Sequence, residues 1–136
     1  MMRESSRKLG EMEFDGLITG LTPPPQVGGG TIAKLTEAAI YKRGTVLAKS
    51  VQDGKLHILG TKPPAPESGK TANAYTPDCI LCDDTVVGTE EDVEVCVYTA
   101  GCFNPSKLSV ADEYTLSQAD IDKLRSYSIV LRAAAK

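Results

Sequence analysis

Four cysteines, one histidine and a Gly-Lys-Thr triplet are the residues of this 136-residue chain whose types could do chemistry. The cysteines fall as Cys79-x2-Cys82 and Cys96-x5-Cys102, which has to be weighed against structural zinc. A zinc knuckle turns between its thiolates, yet Ile80 and Leu81 are poor turn residues. The stretch reads instead as strand, where residues three apart point to opposite faces and cannot chelate together. Small buried thiols, with no metal and no cofactor, are therefore expected. Disulfides are not expected, because MMRESSRKLGEMEFDG lacks the apolar core of a secretory signal.

The other two candidates fare no better. Glu67-Ser68-Gly69-Lys70-Thr71 imitates the end of a phosphate-binding loop, but the glycine required five positions before Gly69 is Pro64. Such a loop also needs a following helix whose amides hold the phosphates, and Ala-Asn-Ala-Tyr-Thr-Pro follows here. His57 alternates with Leu56 and Ile58 and has no Ser or Cys nucleophile nearby in sequence, so it reads as a surface or packing residue. Seven acidic residues and no basic one lie between Asp78 and Glu94. They lack the ordered spacing of a calcium loop and read as a solvated connection that discourages edge pairing. Without an acid/base constellation, no enzyme is expected; the chain reads as a binding or structural module.

Composition supports that reading. Hydrophobic residues make up 41%, aromatics only 5%, and Trp is absent, which gives a globular chain with a modest core of Val, Ile, Leu and Ala. A net charge of -3 and a pI near 5.2, with basic residues scattered, argue against a nucleic-acid partner. No apolar run approaches the roughly 18 residues needed for a membrane span.

These residues must be positioned mainly by strands. Residues 43–51 and Lys55-Leu-His-Ile-Leu59 flank a Gln52-Asp-Gly54 turn signal and predict a hairpin. A loop from Gly60 to Gly69 with three prolines follows. Cys79-Ile-Leu-Cys82 begins another strand, and Val93 to Thr99 is the cleanest period-two run, with Val93, Val95 and Val97 on one face. Ser117 as N-cap and Asp120 at the capping-box position, with Leu116 and Ile121 as a staple, predict one short helix. A short strand over Ser128-Ile-Val-Leu131 ends the pattern. The fold class is mainly β: a small barrel-like domain over residues 41–136 with one C-terminal helix.

Residues 1–40 read differently. Six of the twelve glycines and Pro23, Pro24 and Pro25 fall in the first thirty residues. Leu17, Ile18, Leu21 and Val27 are too sparse for a core, which predicts an extended arm that is loose alone. Within it, Leu17-Ile18-Thr19 and Thr31-Ile32 are β-prone pieces suited to adding strands to a partner.

Taken in order, Lys42-Arg-Gly-Thr-Val-Leu-Ala-Lys49, Asp53-Gly-Lys-Leu56, Cys79-Ile-Leu-Cys-Asp-Asp-Thr85 and Val97-Tyr-Thr-Ala-Gly-Cys-Phe-Asn104 resemble bacteriophage head decoration proteins of the lambda type. The helix-then-strand ending fits too, so the resemblance spans roughly residues 17 to 132. It implies a virion protein on the outer capsid surface, present in the host cytoplasm during assembly. Its partners would be the major capsid protein and two further copies of itself, in trimers that hold the expanded shell at three-fold positions. The implied capsid-binding residues are Leu17, Ile18, Thr19, Leu21, Pro23, Pro24, Pro25, Val27, Thr31 and Ile32. The length ahead of Tyr41 and the triple proline depart from the family pattern. Two other readings are a cellular β-barrel carrier of biotinyl or lipoyl type, for which Asp53-Gly54-Lys55 would be the hairpin tip, and a zinc-stabilised binding module.

Overall fold

A computed structural model of the chain describes residues 16–66 and 68–132. The longest strand is its spine. Val93–Phe103 (β8) alternates Val, Glu, Val, Cys and Val before running into a fully covered Gly-Cys-Phe end, so it can be flanked on both edges. Along one edge lie Ile18–Gly20 (β1) and Gln26–Ile32 (β2), both antiparallel to it. Along the other lie Tyr75–Leu81 (β6), antiparallel, and Ile129–Leu131 (β9), parallel.

The predicted hairpin forms as read. Val46–Ser50 (β4) and Leu56–Ile58 (β5) pair antiparallel across the Asp53-Gly54 turn, where Gly54 takes a positive φ of 74°. Since β2 meets β5 and β4 meets β6, the order β8-β2-β5-β4-β6 returns to β8 and closes a five-stranded barrel. Closure removes the free edges that an open sheet of this size would present.

Two apolar clusters form. One gathers Val46, Ala48, Ile80, Tyr98, Phe103 and Leu124; the other gathers Ile32, Leu47, Leu56, Leu81, Val87 and Val97. Alternation along β4 and β6 divides neighbouring residues between them, Val46 from Leu47 and Ile80 from Leu81. The helix Gln118–Ser126 (α1) starts on a complete capping box between Ser117 and Asp120, and it buries Leu124. Ser128, at a positive φ of 69°, then turns the chain into β9.

Two expectations are corrected. The loose arm through residue 40 is not what residues 17–41 form. Leu17 and Ile32 are buried, β1 and β2 are strands of the barrel sheet, and Ala39–Tyr41 (β3) pairs with Thr85–Val87 (β7). The physical reason is that the glycine-rich stretch contributes backbone pairing to β8, while a few apolar anchors supply the burial. Residues 1–15 of the expected arm lie outside the described residues. Likewise the acidic connection is not only a solvated loop, since it holds β7 in its middle.

Candidate functional site

Residues 17–32 run antiparallel along the whole of β8, from Ile18 opposite Phe103 to Ile32 opposite Val93. Leu17 anchors one end, its carbonyl accepting from the Asn104 N–H at 2.7 Å. Ile32 and Ala33 anchor the other, where the Ala33 N–H donates to the Leu56 carbonyl at 3.0 Å. Between β1 and β2 the register breaks, and the connection carries Leu21 and Pro24 outward. Leu21 is 71% exposed and Val27, just beyond the prolines, is 59% exposed. Pro24 is exposed, Pro23 and Pro25 half-buried.

The ten predicted binding residues therefore divide. Leu17 and Ile32 are core and cannot touch a partner without unfolding. Ile18, Thr19 and Thr31 are half-buried strand residues. The Thr19 hydroxyl donates to the Arg132 carbonyl at 2.7 Å, tying β1 to the end of β9. Leu21, Pro24 and Val27 stand in solvent as an apolar display on a backbone fixed at both ends. Beside them, Gly28, Gly29 and Gly30 with Glu94 and Cys96 line an open groove of about 590 Å³.

A second apolar display escaped sequence reading. Ile40 and Val86 are register partners on the β3–β7 ribbon and are 60% and 66% exposed. The β-prone Thr85-Val86-Val87 was the available signal, masked by the acidic residues around it. Two of those acids tie the flanks of the ribbon to neighbouring backbone. The Asp84 carboxylate accepts from the Arg43 backbone N–H at 2.8 Å, and Asp92 accepts from the Lys34 N–H at 2.9 Å. Lys55 pairs with Asp92 at 2.8 Å. That lysine, with the Lys34 N–H, holds the Asp92 carboxyl below the usual carboxylate range.

The chemistry-bearing residues fall at separate places. Cys79 packs in one apolar cluster and Cys82 in the other, as strand alternation requires. Among the described residues, no three metal-ligating side chains converge. Cys82 instead meets Cys96, and Cys96 is exposed, so the expectation of four buried thiols fails for that residue. His57 stacks on Tyr75 with ring centroids 4.1 Å apart, over a groove of about 460 Å³ that Asp53, Pro64, Lys70 and Asn73 also line. Burial holds the His57 imidazole below its usual range. No helix follows Thr71; the chain runs without regular structure into β6, so Gly69 and Lys70 do not form a phosphate cradle. Glu67 of that motif lies outside the described residues.

Arg43, half-buried, joins the spine to the first cluster. Its guanidinium donates to the Tyr98 hydroxyl at 2.6 Å and to the Cys82 carbonyl at 2.9 Å, and it lies over the Tyr98 ring. No family model and no curated protein sequence matches the chain.

Proposed function

We propose that the chain is a phage capsid decoration protein, a non-enzymatic structural protein that binds the outer surface of an expanded head as a homotrimer. One observation carries the reading: Leu21 and Val27 stand exposed on a segment whose two ends, Leu17 and Ile32, are locked in the core. An apolar display on a fixed backbone loses little conformational entropy on docking, so it can contribute to binding that a free tail would weaken. The ordered blocks from Lys42 to Asn104, which resemble lambda-type decoration proteins, supply the partner. Three copies around one axis would link three weak contacts, which raises avidity by roughly 10²–10⁴-fold where geometry permits.

The reading changes which residues act. Leu21, Pro24 and Val27 would contact the capsid directly, whereas Leu17 and Ile32 would hold their backbone. The alternative carrier reading loses ground because Lys55, the lysine nearest the hairpin tip, is ion-paired with Asp92.

Mixing the purified chain with expanded phage shells and imaging by cryo-electron microscopy tests the proposal. Density at three-fold positions is expected, lost in the Leu21→Asp, Val27→Asp double variant with its melting temperature unchanged. Bare shells with the intact chain would overturn the reading.

A further inference from the structure

Strands β6 and β8 close the barrel through a short seam. Its register runs Ile80 opposite Tyr98 and Leu81 opposite Val97. One step further, the Cys82 N–H donates to the Cys96 carbonyl at 3.1 Å, so the two cysteines are direct cross-strand neighbours. Each thiol is close enough to act on the other, and neither is in a disulfide. Directly opposed residues of an antiparallel pair have Cα atoms about 4.5–5.5 Å apart, within the roughly 4.4–6.8 Å that a disulfide spans.

We propose that Cys82 and Cys96 form a thiol–disulfide site that locks the β6–β8 seam when the chain meets a peroxide-class oxidant. This inference stands on the dithiol geometry and does not depend on the capsid reading.

Access favours this pair over every other. On the far side of Cys96 its register partner in β2 is Gly29, which has no side chain to cover the sulfur. A Cβ built at Gly29 would meet nothing closer than the Val95 carbonyl oxygen at 4.0 Å. Cys79 and Cys102 are each 1% exposed, Cys79 in the other apolar cluster and Cys102 beside the Thr19 hydroxyl. The two partners also differ in character. Burial pushes the Cys82 thiol up to about 12, which makes it a poor first target and leaves the exposed Cys96 to react first.

The chemistry balances in two steps. The Cys96 sulfur attacks the peroxide O–O bond, giving a sulfenic acid and one water. The Cys82 sulfur then displaces the sulfenic oxygen as a second water, forming the S–S bond. Two thiols lose two electrons and two protons, and one peroxide is reduced to two waters. The new bond closes a loop of thirteen residues, 83–95, that contains β7. It thereby restrains the acidic connection as well as the seam.

Hydrogen peroxide treatment of the full chain, followed by alkylation under denaturing conditions and mass spectrometry, tests the site. The intact mass should fall by two hydrogens, two of the four thiols should escape alkylation, and a Cys82–Cys96 cross-linked peptide should appear. Dithiothreitol should reverse it, and the oxidised form should melt roughly 5–10 °C higher. Cys96→Ser should lose the cross-link while keeping the melting temperature of the reduced protein. Four alkylatable thiols after oxidation would overturn the proposal. So would a Cys96–Cys96 dimer, over-oxidised Cys96 beside an alkylatable Cys82, a link through Cys79 or Cys102, or a cross-link that leaves the melting temperature unmoved.

Discussion

Ile32 and Leu56 face each other as the single register pair joining β2 to β5, and that pairing is parallel while the others in the barrel are antiparallel. Both are buried, Ile32 at 0% and Leu56 at 3% exposure. The barrel closes through this contact, so its side chains act as a keystone. Ile32→Ala should cost about 2–5 kcal/mol, read by urea denaturation. Deleting residues 1–32 removes both β1 and β2 and should abolish the cooperative transition.

Gly101 offers a sharper steric test. It adopts φ +146°, and a Cβ there would come within 2.8 Å of the Phe103 ring and 3.3 Å of the Pro25 Cα. Gly101→Ala therefore combines backbone strain with overpacking and should destabilise by about 2–3 kcal/mol. If the variant melts with the parent, the Pro25 backbone does not pack against β8 as described.

Arg43 answers a different question, because its guanidinium serves the Tyr98 hydroxyl and the Cys82 carbonyl together. Arg43→Ala would leave the buried tyrosine hydroxyl without that donor, at a cost of about 1–3 kcal/mol. Arg43→Lys should recover only part of it, since an ammonium cannot reproduce the planar fork. Chemical denaturation of both variants reads the difference.

His57 sets a slope in the pH profile. Its imidazole is held below the usual range by burial against Tyr75, so the unfolded chain binds the proton more readily than the folded one. Stability should therefore be highest above the ordinary histidine range and fall as pH drops through it towards the lower folded-state value. Melting curves from pH 7.5 to 5 should show this fall, and His57→Gln should flatten it. Asp92 acts in a more acidic window. Its lowered carboxyl contributes stability above the ordinary carboxylate range that is lost as pH falls through its folded value. Asp92→Asn should remove that component.

Much of the barrel was legible because side chains declared it. The hairpin from Val46 to Ile58 shows period-two patterning around Asp53-Gly54, and α1 opens on Ser117 and Asp120, whose capping bonds are local. Strand β2 could not declare itself, because Gly28, Gly29 and Gly30 have no side chains to alternate. Its identity comes from seven register partners on β8, far away in sequence. The same holds for β7, three residues whose apolar character is diluted by the acids around it, two of which, Asp84 and Asp92, also accept backbone N–H groups of neighbouring segments. At the candidate site, the apolar residues of the segment were visible. Which of them face solvent was decided by the break in register at the prolines.

The pairing of β2 with β8 also fixes when this protein can fold during its synthesis. Gln26 finds its partner only when Ala100 has been made. The intervening stretch takes roughly 4–15 s at translation rates of about 5–20 residues per second. Throughout that interval the barrel lacks its spine, and β2 and β6 have no strand to join them. The exposed apolar segments must therefore outlast a delay on the ribosome, and a folding partner or rapid release would matter most in that window.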